Sequence, residues 1–272
     1  MTKNNATPHP IGIFDSGLGG LTVTQALIQL LPNEDIIYFG DTMHHPYGEK
    51  SAAAIQSYSI KIANLFLEKQ CKLILIACYS ASSTAYDLLK EYVGSKAIVM
   101  NVIDPMIYWL GQKYNDKRIG LIGTKATVNS KIFKKKIEGL NRGIQVNDYP
   151  TNLLASAIEE FGNHEIVNNL VRVYLEHPSL KNIEALILAC THYPIVKNHI
   201  AAFYNNKIDI IDSSEIVAQA VKKSLEEQNL LNTAKYSKNK FYISDNNLDS
   251  FSAGTKLFFN EEIALEPYPL WD

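Results

Sequence analysis

A chain of 272 residues, 46% apolar and 20% charged, is long enough for one large or two ordinary domains and can bury a sizeable core. A formal charge of −2 with no long basic run argues against a nucleic-acid or membrane-surface partner. No apolar run approaches the ~18 residues of a membrane helix, residues 1–10 lack the apolar stretch of a signal peptide, and three cysteines make no disulfide framework. The expected compartment is the cytoplasm, where thiols stay reduced.

Aliphatic runs alternate with amphipathic stretches, which predicts parallel α/β architecture. Residues 11–14 read as a strand, 15–20 as the turn after it, and 21–31 as a helix stopped before Pro32. A strand over 35–39 ends at Gly40-Asp41, and Ser51 is the expected N-cap of a helix running to Lys69. A strand over 73–77 and a helix over 82–91 complete this series. A second series begins near Ala97: strand 97–102, helix 104–114, strand 118–122 ending at Gly123-Thr124, and a weak strand over 144–147. Helix 163–176, strands 185–189 and 207–211, and helix 214–228 follow, then a polar linker over 232–239 and a strand over 240–244. The two series predict two similar, pseudo-symmetric parallel-sheet α/β domains, residues 1–99 with 213–272 and residues 100–212. The active site is expected in the cleft between them.

Most individual motifs are weak. Asp15-Ser16-Gly17-Leu18-Gly19-Gly20 resembles an anion-cradling turn, but it has Asp and Ser where a dinucleotide fingerprint needs Gly and lacks the Lys of a P-loop. The carboxylate of Asp15 at a strand end favours a functional reading over a purely structural turn. The segment from Asp41 to Gly48, with His44 and His45, taken alone is an ordinary loop. Glu159 and Glu160 lie in a helix-like stretch, and Lys134-Lys135-Lys136 reads as a solvated helix face. Cys71 reads as a small structural residue. Cys190 and His192 alone are too few ligands for a zinc site.

The thiols carry more weight. Leu73-Ile-Leu-Ile-Ala-Cys78 and Leu186-Ile-Leu-Ala-Cys190 are both strand-like runs ending in Ala-Cys, with hydroxyl residues close behind. Continuous aliphatic runs are the pattern of buried parallel strands, and open α/β sheets place their chemistry just past the carboxyl ends of such strands. The repeat brings a thiol to a strand mouth twice, which suggests proton chemistry on two sides of one substrate. Cys190-Thr191-His192 adds an imidazole that can generate a thiolate or shuttle a proton.

Gly12-Ile-Phe-Asp-Ser-Gly-Leu-Gly-Gly20, Tyr38-Phe-Gly-Asp41, Pro46-Tyr-Gly48, Ile76-Ala-Cys78, Gly123-Thr124 and Leu188-Ala-Cys-Thr-His-Tyr-Pro194 stand together at a telling spacing. In these segments the chain resembles the cofactor-independent glutamate racemases of bacterial cell-wall synthesis, within the aspartate/glutamate racemase superfamily. The resemblance implies an isomerase without cofactor or metal, a homodimer, that supplies D-glutamate for peptidoglycan. It implies Cys78 as the base for the D-enantiomer and Cys190 as the base for the L-enantiomer, assisted by Asp15 and His192. Substrate contacts would come from Asp15, Ser16, Pro46, Tyr47, Gly48, Tyr79, Ser80, Thr191 and His192, with Glu159 near the second base.

One residue departs from the pattern. Tyr79 follows the first cysteine where the family usually has Asn, exchanging an amide for a larger phenol beside one base. Two alternatives follow from it, a racemase of aspartate or another small acid and a catalytically impaired racemase homologue; a third, of a different class, is a non-catalytic binding or regulatory protein on the same scaffold. Retention of both cysteines, Asp15 and His192 counts against the last.

Overall fold

The computed structural model describes residues 9–272 except 163, 234–236, 247, 260 and 262. The expectation for residues 1–10 therefore falls largely outside the described residues, as do the middle of the 232–239 linker and the first residue of the helix expected at 163.

β1 (Ile11–Asp15) leads through α1 (Leu21–Leu30), β2 (Ile36–Gly40) and α2 (Ala52–Glu68) to β3 (Leu73–Ile76). Then come α3 (Tyr79–Thr84), α4 (Tyr86–Val93), β4 (Ile98–Asn101) and α5 (Ile103–Lys113). The second series runs through β5 (Arg118–Gly123), α6 (Lys125–Asn129), α7 (Ile132–Glu138), β6 (Gln145–Pro150) and α8 (Leu154–Phe161). It continues with α9 (Glu165–Leu175), β7 (Ala185–Ala189), α10 (Lys197–Phe203) and β8 (Asp209–Ile211). The last elements are α11 (Ser214–Glu227), β9 (Asn239–Ile243), α12 (Leu248–Phe259) and β10 (Leu265–Pro267).

Among the described residues all strand pairs are parallel, and they form two sheets with helices interleaved. The first sheet has the order β10-β9-β2-β1-β3-β4 and the second β6-β5-β7-β8. The stretch β2-β1-β3-β4 has the same order as β6-β5-β7-β8, so the repeat in the sequence is also a repeat of topology. In each half the chain leaves its first strand to one side and returns on the other. That reversal opens a crevice at the carboxyl ends of β1 and β3, and again at those of β5 and β7. Asp15 and Cys78 flank the first crevice; Thr124 and Cys190 flank the second.

Local chemistry explains the elements. β1, β3 and β7 are buried throughout, as continuous aliphatic strands between helical layers should be. Ser51 caps α2, accepting from Ala54 N at 3.2 Å. Gly12 lets α2 sit close on β1, since a Cβ there would lie 2.7 Å from the Phe66 ring. The helix expected over 82–91 instead begins at Tyr79 and breaks at Ala85. Its hydroxyls bond back to carbonyls, Ser82 to Ile76 O at 3.0 Å, Ser83 to Ser80 O at 3.0 Å and Thr84 to Ser80 O at 2.6 Å, and such bonds compete with helix propagation. One apolar core runs through both series, joining Ile13 and Leu75 to Leu121 and Ile187.

Candidate active site

Asp15, the last residue of β1, is fully buried, and the turn after it folds around its carboxylate. Oδ2 accepts from Gly20 N at 3.0 Å and Gly17 N at 3.3 Å. Oδ1 is buried with no hydrogen-bond partner among the described residues. The Tyr38 hydroxyl donates to Gly17 O at 2.6 Å and fixes the turn from β2. Cys78 leads into α3 with its thiol 3.8 Å from Ser16 Oγ. Burial, and then the charge of Asp15, push the Cys78 thiol up to about 12, although the Ala81 amide and the Ser16 hydroxyl pull the other way. Cys190 adds a smaller upward push, so the two thiols lie within electrostatic reach of each other.

The second thiol has a different neighbourhood. Cys190 directly follows β7, and its Sγ lies 3.6 Å from His192 Nδ1. The other ring nitrogen, His192 Nε2, donates to Glu159 Oε2 of α8 at 3.0 Å. Burial opposes a charge on His192, but hydrogen bonds and charges from Cys190 and Glu159 outweigh it and raise the imidazole well above its ordinary value. Burial likewise opposes a charge on Glu159, yet hydrogen bonds from His192 and His45 hold it well below the usual carboxylate range. Phe258 of α12 covers the His192 ring edge-on, with centroids 5.1 Å apart.

The two halves meet tightly here. Thr22 Oγ1 donates to Thr191 O at 3.3 Å, and Ser80 Oγ pairs with Thr124 Oγ1 at 2.9 Å. Thr124 Oγ1 in turn lies 3.1 Å from Thr127 Oγ1 and caps α6. Gly19 is required by this approach, because a Cβ there would lie 2.5 Å from Thr191 Oγ1 and 2.6 Å from the His192 ring. A cavity of about 260 Å³ opens beside the site, lined by Pro46, Gly48, Thr124, Lys125, Asn152 and Ala155 among others. The Tyr47 hydroxyl donates to Asp41 Oδ2 at 2.6 Å, in a network that also takes Ser244 and Trp271.

His45, Glu159 and His192 bring three potential metal-ligand atoms within 4.8 Å of one another. Each is already engaged within the trio, both imidazole Nε2 atoms bonding the same carboxylate oxygen. The arrangement as a whole offers two buried thiols, one assisted by an imidazole and a carboxylate, together with an unpartnered carboxylate oxygen and several hydroxyls. Such a set can hold and move protons around a small polar substrate.

The Asp/Glu/Hydantoin racemase family model matches residues 11–221. The chain belongs to this family. It is 36% identical over 265 residues to a glutamate racemase of Chlorobium phaeobacteroides, covering 97% of both chains. The glutamate racemase of Francisella tularensis in complex with D-glutamate superposes with a TM-score of 0.89 at 39% identity, over 97% of this chain and 98% of that one. Glutamate racemase isoform RacE1 of Bacillus anthracis gives a TM-score of 0.90 at 28% identity, over 96% of this chain and 98% of that one.

In this member of the racemase family Asp15, Ser16 and Cys78 stand on one side of the junction, and Cys190, Thr191, His192 and Glu159 on the other. Pro46 and Gly48 lie at the cavity, and Ser80 bridges to Thr124. Tyr79 is buried in the shared core, its ring stacked on Phe133 of α7 with centroids 6.1 Å apart. Its hydroxyl lies near Ser213 and Asp212 without a hydrogen bond of good geometry. Burial pushes that phenol far above the usual tyrosine range. Sequence reasoning passed over Thr124 as a site residue, although it directly follows β5 much as Asp15 ends β1. It also left His45 as a loop residue; nothing in the local sequence signals that its ring reaches Glu159.

Proposed function

We propose that this racemase interconverts L- and D-glutamate with Cys78 and Cys190 as paired bases on opposite faces of the α-carbon. The observation that carries the reading is the matched placement of two buried thiols, each after the third strand of a sheet half with the same strand order. Similarity to glutamate racemases over nearly the whole chain supports the substrate.

In the L-to-D direction Cys190, as thiolate, takes the α-proton and becomes a thiol. The electron pair stays on the α-carbon, delocalised into the carboxylate, until the Cys78 thiol delivers its proton to the opposite face and is left as thiolate. Exchange with solvent restores the starting form, and the D-to-L direction runs the same steps in reverse. The free site suits this order on the Cys78 side, where burial and Asp15 hold the thiol protonated, and it places the Cys190 thiol 3.6 Å from the His192 ring.

Asp15 Oδ1, buried and unpartnered, is the acceptor for the substrate ammonium. Once neutralised there, Asp15 no longer raises Cys78. Ser16, Ser80 and Thr191 are the donors that stabilise charge building on the α-carboxylate, and the backbone of 46–48 holds the far end of the substrate. Tyr79, packed on Phe133, makes no substrate contact in this reading. The enzyme works without a cofactor in the cytoplasm as a homodimer, its lobes being residues 1–99 with 213–272 and residues 100–212, and supplies D-glutamate for peptidoglycan. Among the described residues no helix is long and apolar enough to cross a membrane.

Optical rotation followed over a panel of single enantiomers tests the substrate. Rotation of L- and D-glutamate should decay to zero while aspartate stays unchanged; activity on aspartate with none on glutamate would overturn the reading.

A further inference from the structure

His45 lies between β2 and α2, on the side of the first sheet, whereas Glu159 belongs to α8 and His192 follows β7. His45 Nε2 and His192 Nε2 nevertheless meet the same atom, Glu159 Oε2, each at 3.0 Å. Their rings are tilted by 30° with centroids 5.9 Å apart, so two donors converge on one oxygen from adjacent directions. The turn that carries Asp15 supports the junction from below. A Cβ on Gly17 would come 2.9 Å from the His45 ring and 3.4 Å from Glu159 Oε1.

A carboxylate oxygen shared by two donors gives each a weaker bond than it would give one alone, because a single charge is divided between them. Glu159 is one of two groups that keep His192 charged. A relay that must both release and recover a proton is impaired by an overly firm hold as much as by a weak one. The other titratable groups facing the trio are Cys190 after β7 and Tyr38 on β2, with Asp15 and Cys78 acting beyond Tyr38; α12 presents the apolar Phe258 to the His192 ring.

We propose that His45 is a positioning residue for the second base: reaching across the cleft to share Glu159 Oε2 with His192, it seats the carboxylate and divides its hydrogen-bonding strength, and so sets how readily His192 exchanges a proton with Cys190. This inference rests on the roles of Cys190 and His192 given under the proposed function.

The test compares wild type with His45→Phe, which keeps the bulk and removes the donor, and His45→Gln, which places an N–H near the Nε2 position. The readouts are the NMR resonance of the His192 Nε2–H proton at fixed pH and the steady-state constants for glutamate. In His45→Phe the undivided Glu159–His192 bond should move that resonance downfield, and kcat should fall about tenfold with KM changed less than about twofold. His45→Gln should return both toward wild type. An unmoved His192 resonance in His45→Phe, or a Gln variant that behaves like Phe, overturns the proposal. Failure of the two-base reading is distinguishable, because it would appear as full racemisation by Cys190→Ala, in a chain whose His45 is intact.

Discussion

His192 Nδ1 lies 3.6 Å from the Cys190 thiol, whereas the thiol of Cys78 has a serine hydroxyl, Ser16 Oγ, at 3.8 Å. Two thiols at equivalent places in matched sheets therefore have unlike neighbours. Cys78 is held as thiol by burial and by the Asp15 carboxylate. Cys190 instead contacts His192, which in turn bonds Glu159.

The Asp15 contribution to Cys78 can be isolated. Asp15→Asn removes the charge that, after burial, does most to raise the Cys78 thiol, so that thiol should titrate below about 12. Alkylation by iodoacetamide, mapped to the Cys78 peptide by mass spectrometry across pH, should run faster in the variant. Racemisation should fall by at least about 10²-fold, since the ammonium acceptor is lost with it. Unchanged Cys78 reactivity would separate the two groups.

Tyr79 separates packing from catalysis. Its hydroxyl is buried without a good partner, so Tyr79→Phe should leave the stability unchanged or raise it by up to about 1 kcal/mol. Tyr79→Asn removes the ring that stacks on Phe133 and leaves a polar amide in the core, at a cost of about 3 kcal/mol. Urea denaturation of both variants reads the stabilities. A Tyr79→Asn protein with undiminished stability and a large gain in kcat/KM would place the phenol in the substrate's way instead.

The Glu159–His192 pair should leave a mark on stability against pH. Glu159 is depressed in the folded protein, so its contribution is present above the ordinary carboxylate value of 4.5 and declines as pH falls below it, where the unfolded chain takes up a proton first. His192 is raised, so its contribution is complete below the ordinary imidazole value of 6.5 and is lost as pH climbs from there toward the raised value. The pair therefore favours the fold most between these two values. Glu159→Gln should flatten the acid limb and weaken the alkaline one in thermal melts taken across pH. An acid limb that survives in Glu159→Gln would assign it to other carboxylates.

Much of the scaffold was legible because buried parallel strands announce themselves as aliphatic runs: β1, β3, β5 and β7 lie close to where the pattern puts them. The short β10 and the helix α12 carry no such run and were passed over, and the break at Ala85 comes from hydroxyl back-bonds that periodicity does not register. In the site, Cys78, Cys190 and Asp15 were readable because each lies at or just past the end of a strand. His45 was not, since its importance lies in a contact with a helix more than a hundred positions away in the chain. Tyr79 was visible as a departure, but its direction depends on Phe133, a partner only the fold supplies.

The two-base claim meets its most direct test in D2O, by NMR and mass analysis of both enantiomers early in the conversion of protiated L-glutamate. Transfer between two monoprotic thiols predicts D-glutamate that carries solvent deuterium at the α-carbon, remaining L-glutamate that is still protiated, and loss of turnover in both Cys78→Ala and Cys190→Ala. Early D-glutamate that retains the substrate's own α-proton, or substantial turnover in either variant, would contradict it.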